Sequence, residues 1–356
     1  PGPSQHADDA GLRHAGAQTG PFKVGCINAY SGHLAPTGNS VRRGLEVVRK
    51  MINDEGGVNG RPIEFMYFDT KSVPENARVG AESMIREGAT ILIGCGESGS
   101  TMAALQTIEL AKVPMVVEVS AAPQVTESGY KYVFRNFPDG PSLVRDAVRV
   151  VKEMLATTGA QPKTAVLLHV NDTFGTSLVG GIKALWTRLE MPIQIVETIQ
   201  YDPKARDLSV EVAKAKSVGA DILMPVTRVL DAIAIVREMV KQDFNPMGII
   251  GPGSPGPFEL EFTQALGKYG DYYLMSTPWQ DPSSATTRKA LPVFAAMYPQ
   301  FRFELNVGFG FDAGTIVADA FRRAKSTDSA ALHEALKATN IADHVIFGGP
   351  IQFNEK

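Results

Sequence analysis

From Phe22 onward, short apolar runs alternate with stretches whose apolar residues recur every three or four positions. The run KVGCINA (23–29) leads through SGHLAPTG into a helix predicted over 38–54, where Val41, Leu45, Val48 and Ile52 share one face. GGVNG (56–60) ends that helix, and IEFMYFD (63–69) reads as the next strand. A helix over 74–87 opens on Pro and closes on Gly, followed by TILIGCG (90–96), a helix over 100–111 and PMVVEVS (114–120). The alternation restarts after Asp139: helix 142–158, TAVLLHV (164–170), helix 176–190, IQIVETIQY (193–201), helix 207–218, ADILMPV (220–226), helix 230–243, MGIIGPG (247–253), helix 259–267 and DYYLMST (271–277). Helices over 286–298, 310–325 and 329–338 precede a closing segment, HVIFGGPIQFNEK, that reads as a paired strand or hairpin.

Strands alternating with helices of 10–15 residues predict βαβ units and parallel sheets, and continuous apolar strands predict helices on both faces. The fold class is therefore α/β, as two doubly wound parallel-sheet lobes. A chain that builds one lobe, then the other, then returns must cross between them more than once, which favours a hinge.

Length supports the division, because 356 residues exceed the roughly 250–300 at which single cores stop growing. A hydrophobic fraction of 44%, a charged fraction of 21% and a net charge of −3 without a basic tract argue against a nucleic-acid or anionic-membrane partner. No apolar run approaches the ~20 residues of a membrane span. Residues 1–21, polar and Gly/Pro-rich, are expected to form a disordered leader outside the fold. Cys26 and Cys95 sit in apolar runs, as buried thiols or as a disulfide that spacing alone does not decide.

Open α/β sheets bind ligands beyond the carboxyl ends of their strands. There, GESGST (96–101) opens a helix that Ser98, Ser100 and Thr101 can cap, or whose free N–H groups suit a carboxylate. EVSAAP (118–123), VNDTFGTS (170–177), TR (227–228) and GPGSPG (251–256) occupy equivalent loops. Arg228 suits a two-oxygen carboxylate clamp or a solvated loop, and Phe174 a pocket wall or the core. Catalytic patterns fail: GESGS and PGSPG break G-x-S-x-G, no P-loop or G-x-G-x-x-G opens a helix, and the six histidines lack metal-ligand spacing. Neither an enzyme, a cofactor nor a metal site is indicated.

At these loops the sequence resembles the branched-chain amino acid (leucine-binding) family of periplasmic binding proteins that serve ABC importers. The likeness is carried by 23–77, PMVVEVSAAPQVTESGYKYVFRNFPD, HVNDTFGTSLVGGIKA, YDPKARDLSVEVAKAKSVGADILM and FDAGTIVADAFRRA, and spans about 22–356. It implies a three-strand hinge with crossings near 138–142, 274–279 and 343–348. Lobe 1 would then comprise 22–139 plus 276–343, and lobe 2 would comprise 140–275 plus 344–356. It also implies an exported, periplasmic or extracytoplasmic monomer that works with ABC permease subunits.

By the same resemblance, Thr37 and Ser98 line the ligand pocket, Val119, Ser120 and Ala121 match a small-residue/Thr carboxylate motif, and Phe174 matches an aromatic contact. The departures are informative. Ala121 stands where Thr is expected, leaving Ser120 to supply a hydroxyl, and Arg228 replaces an aromatic. Gly253 stands where amino-acid binders carry the acid that pairs with the ligand ammonium, although Glu97 or Glu118 could compensate. The family disulfide positions fall on Ser72 and Glu97, which leaves Cys26 and Cys95 unpaired. One acid lost and one arginine gained favour a carboxylate solute without an α-ammonium, an aromatic or oxo acid. A branched-chain or other amino acid is the alternative, and a ligand-sensing domain of a receptor or regulator a further one.

Overall fold

A computed structural model describes residues 20–354, so most of the expected leader and the last two residues lie outside the described part. The first sheet is built from β1 (Phe22–Asn28), α1 (Ala35–Asp54), β2 (Ile63–Asp69), α2 (Glu75–Arg86), β3 (Ile91–Gly94), α3 (Ser98–Ala111), β4 (Met115–Val117), α4 (Gln124–Glu127) and β5 (Val133–Arg135). The chain then enters α5 (Gly140–Thr158), β6 (Thr164–Val170), α6 (Thr173–Arg188), β7 (Gln194–Tyr201), α7 (Ser209–Val218), β8 (Ile222–Val226), α8 (Val229–Lys241), β9 (Gly248–Gly251), α9 (Leu260–Leu266) and β10 (Tyr273–Met275). It returns through α10 (Ala285–Met297), α11 (Leu305–Ala324), α12 (Ser329–Lys337), β11 (Asn340–Ile341) and β12 (Ile351–Gln352).

Both large sheets are five-stranded and parallel, in the orders β2-β1-β3-β4-β5 and β10-β9-β8-β6-β7. Each is the same winding, in which the chain starts near the middle, steps to one edge and then runs to the other. Each therefore has a switch point, between β1 and β3 in one and between β6 and β8 in the other, where adjacent loops diverge and leave a crevice. The central strands are apolar on both sides because helices cover both faces, and β3, β6 and β8 are buried along almost their whole length.

In the first lobe α1 lies against α11 at backbone distance. A Cβ on Gly44 would come 2.0 Å from the Val307 carbonyl oxygen, and one on Gly310 would come 2.4 Å from that of Val41. Only glycine permits that approach.

Three segments meet at the hinge, those following β5, following β10 and around 344–347. Asp312 on α11 anchors the last, accepting from Val345 N at 2.9 Å and Ile346 N at 3.1 Å and contacting His344 Nδ1 at 3.1 Å. Phe347 N then donates to the Trp279 carbonyl at 2.8 Å. The closing segment departs from expectation here. Instead of completing the second lobe, β12 pairs antiparallel with β11, and Phe353 packs edge-on against Phe134 of the first lobe, 5.2 Å between centroids. Its apolar Ile351 and Phe353 pack, partly buried, against that core, and this removal of apolar surface from water favours the placement. Strand β5 is absent from the sequence reading, its three residues being too short for periodicity to register.

Candidate functional site

The loops at the two switch points face each other across one small cavity. Its first-lobe wall is Thr37 in the opening turn of α1, Gly96 to Ser98 at the start of α3, Val119 after β4 and Asn306 in the first turn of α11. Its second-lobe wall is Phe174 at the start of α6, Arg228 between β8 and α8, and Pro255 and Glu259 after β9. The enclosed volume is about 30 Å³. That is roughly one water's share of the liquid, so a solute of many atoms requires the lobes to part further. A larger cavity of about 690 Å³ is lined instead by hinge residues such as Phe137, His344 and Phe347, away from these loops.

Glu97, not a serine, caps α3: its carboxylate accepts from Gly99 N at 2.7 Å and Ser100 N at 2.5 Å. The N–H groups that the sequence offers to a ligand carboxylate are thereby satisfied within the protein. Ser98 Oγ accepts from Ala122 N at 3.2 Å, which leaves its hydroxyl hydrogen to donate. Thr101 and Ser120 turn inward, their hydroxyl oxygens 2.5 Å apart, with Ser120 also donating to the Cys95 carbonyl at 2.9 Å. Ser120 thus lies behind the wall and does not line the cavity.

Ala121 is likewise behind the wall, its carbonyl accepting from Gly140 N at 2.7 Å. Gly253 adopts φ +73° and sits against Leu143, which a Cβ would approach to 3.1 Å, so it too is outside the lining. Thr37, Ser98, Val119, Phe174 and Arg228 are the sequence-predicted residues that the fold brings together.

Behind the first-lobe wall, Asn28 Nδ2 donates to Glu118 Oε1 at 2.8 Å while its Oδ1 accepts from Gly96 N. Glu118 is fully buried, and desolvation raises its carboxyl to about 7 against the pull of Asn28. Glu97 and Glu118 are therefore both buried, Glu97 on the cavity wall and Glu118 behind it with its Oε2 unpartnered among the described residues. Cys26 and Cys95 are buried unpaired thiols, and Ser72 Oγ accepts from Leu34 N at 3.0 Å.

The second-lobe wall is charged. Asp172 caps α6 through Oδ1, accepting from Gly175 N at 2.9 Å, and pairs through Oδ2 with Arg228 Nη1 at 2.8 Å. The two meet because β6 and β8 are neighbours, so the loops that follow them touch. The Arg228 guanidinium lies 4.8 Å from the Phe174 ring centroid. Burial works against its charge, but Asp172, Glu97 and Asp231 outweigh that and raise its pKa. Its Nη2 is buried with no hydrogen-bond partner among the described residues.

Glu259 and Asn306 are absent from the sequence reading. Glu259 is buried, with one oxygen 3.4 Å from Asn306 Nδ2 across the lobe boundary. Burial, then Glu304 and Glu261, push its carboxyl well above the ordinary range, with Arg43 opposing. The compact GPGSPG turn, which returns the chain to the cleft just before Glu259, is the signal that could have found it.

A family profile described as periplasmic binding protein matches residues 21–356. A Leu/Ile/Val-binding protein homologue of Brucella abortus is 27% identical over 341 residues, covering 90% of this chain and 82% of the relative. Among solved structures, a solute-binding protein of an ABC transporter from R. palustris in complex with benzoate superposes with a TM-score of 0.80 at 23% identity, covering 94% of this chain and 91% of that one. A leucine-binding protein from Thermotoga maritima gives 0.78 at 22% identity, with 90% and 89% covered. At these identities the two structures bear on the fold alone.

Proposed function

This chain belongs to the periplasmic binding protein family, and from that membership we propose that it is the extracytoplasmic capture component of an ABC importer, closing as a monomer over a small solute with a carboxylate. The observation that carries the reading is Arg228 Nη2, buried without a partner among the described residues on a side chain that lines the interlobe cavity. A guanidinium pinned by Asp172 on one side presents its remaining N–H groups in fixed geometry, suited to a carboxylate oxygen. Ser98 donates to the same group from the opposite lobe, and Phe174, Val119 and Pro255 supply apolar surface for the solute body. The solute therefore bridges the lobes, and binding favours closure because the closed form alone offers it both walls. Delivery to permease subunits follows from recognition of the closed form.

Within that class an aromatic or oxo acid is favoured, since Gly253 supplies no ammonium partner and Glu97 is engaged by backbone amides. The solved relative in complex with benzoate accords with this choice. The second reading is an amino acid, favoured by Glu259 on the cavity wall and by the Leu/Ile/Val name of the sequence relative.

A thermal-shift screen tests the reading. Benzoate, hydroxylated benzoates and short oxo acids are expected to stabilise the protein by about 2.7 kcal/mol at one hundred times Kd. Strong stabilisation by leucine or valine, with none by the acids, would overturn the choice of solute class.

A further inference from the structure

Arg228 accounts for one end of a solute, yet the same cavity presents a second set of unsatisfied atoms. Glu259 Oε2 and Asn306 Oδ1 have no hydrogen-bond partner among the described residues, and their residues are only 3% and 2% exposed. Both line the cavity, Glu259 from the second lobe and Asn306 from the first. The contact between Glu259 and Asn306 Nδ2 already draws the two side chains together across the cleft. Nearby, Arg302 of the first lobe donates to the Phe258 carbonyl, so the backbone carrying Glu259 is tied down when the lobes are closed.

The electrostatics at this corner are unbalanced. Glu259, Glu304 and Glu261 act on one another, and the cation that faces them is Arg43. Arg43 is itself engaged by Ser40 Oγ at 2.6 Å and by the Phe301 ring at 3.9 Å. The Asn306 amide oxygen can only accept and lacks a donor, and the second oxygen of Glu259, whose carboxyl burial pushes towards the neutral form, also lacks a partner.

We propose that Glu259 and Asn306 form a second polar subsite, which receives a hydrogen-bond donor of the solute other than its carboxylate. The inference rests on the reading of an acid-bearing solute and narrows it to a bifunctional one, carrying an amine or a hydroxyl. A hydroxyl suits the neutral carboxyl that burial favours, whereas a cationic amine has to draw Glu259 into its ionised form. Because one acceptor comes from each lobe, the subsite exists only on closure. A donor-bearing acid then stabilises the closed form more than a plain acid of the same shape.

The test compares dissociation constants of the full chain for benzoate, 4-hydroxybenzoate, 4-(aminomethyl)benzoate and leucine, in the wild type and in Glu259→Gln and Asn306→Ser. A donor-bearing acid is expected to bind about tenfold more tightly than benzoate, by the worth of a hydrogen bond to a charged group. Glu259→Gln should remove most of that ratio for the aminomethyl acid, and Asn306→Ser should reduce it for both donors. A preference for the aminomethyl acid identifies a cation, and an equal gain for the hydroxyl identifies a neutral donor. Benzoate binding as tightly as its substituted relatives, with ratios unmoved in both variants, overturns the subsite and leaves the carboxylate reading intact. Binding of leucine alone, weakened in Glu259→Gln, sustains the subsite while overturning the aromatic reading. No binding of any of the four overturns both.

Discussion

The two walls of the cleft are built on the same winding of strands and helices but finished in opposite ways. On the first lobe, Glu97 is bonded to the amides of α3, Ser98 to Ala122, and Ser120 to Cys95 and Thr101. On the second, Arg228 and Glu259 each keep a buried charged-group atom without a partner. At the start of α3 the first wall is satisfied from within, and Asn306 is its open position. The second holds atoms whose hydrogen bonds must come from elsewhere, and desolvated unpaired groups of this kind are where binding free energy concentrates. In the proposed site, discrimination among solutes lies mainly with the second lobe, joined by Asn306 of the first.

The largest expected effect comes from breaking the charged wall. Arg228→Ala removes the carboxylate partner and leaves Asp172 unpaired, so affinity for an acid probe should fall by about 3 kcal/mol, roughly a hundredfold. Calorimetric titration with benzoate checks this, and a change below about threefold would mean that Arg228 is no clamp.

The next effect sharpens the contrast by unloading the satisfied wall. Glu118 titrates near 7 instead of 4.5 because it is buried, so the folded state prefers its protonated form. Its contribution to stability is present below pH 4.5 and is lost as pH rises towards 7. A shift of 7 − 4.5 = 2.5 units corresponds to about 3 kcal/mol. Glu118→Gln should remain neutral throughout, so its stability relative to wild type should rise across that interval. Denaturant melts at a series of pH values report the difference, and parallel curves would contradict it.

The smallest effect converts one wall into the other. Glu97→Ala uncaps α3, costing about 1 kcal/mol of stability, but frees the N–H groups of Gly99 and Ser100 at a helix N-terminus. Acid affinity should rise a few-fold as the first lobe gains anion-binding donors. A variant that loses stability and also binds the acid more weakly would show that Glu97 itself contacts the solute.

Much of this arrangement is legible in the chain. The run IEFMYFD and the run TAVLLHV are strands over the very residues that the apolar pattern marks. Loops after strands supply Thr37, Ser98, Val119, Phe174 and Arg228 because a parallel sheet delivers its carboxyl ends to one side. What escapes is decided by side-chain direction and by neighbours distant in sequence. Ser120 and Ala121 sit in the right loop yet lie behind the wall, because the course of the loop backbone, which the apolar pattern does not contain, directs them away from the cavity. The Asp172 partner of Arg228 follows from strand order, which local periodicity does not contain. Asn306 falls before the predicted start of its helix, at 310, because an aromatic and glycine-rich first turn blurs the helical pattern. Glu259 lies six residues beyond Gly253, outside the position where the family resemblance places an acid.

The glycine-mediated contact of α1 with α11 also sets an order of assembly. Residues 140–275 form a sheet from one unbroken stretch, so it can be completed while later residues are still emerging from a ribosome or a translocation pore. The first lobe cannot. Its α1 stays uncovered until residues 305–324 arrive to meet Gly44 and Gly310, a closure spanning most of the chain. The lobe that begins first is thus the last to be finished, and its apolar α1 face is the surface left uncovered for the longest interval.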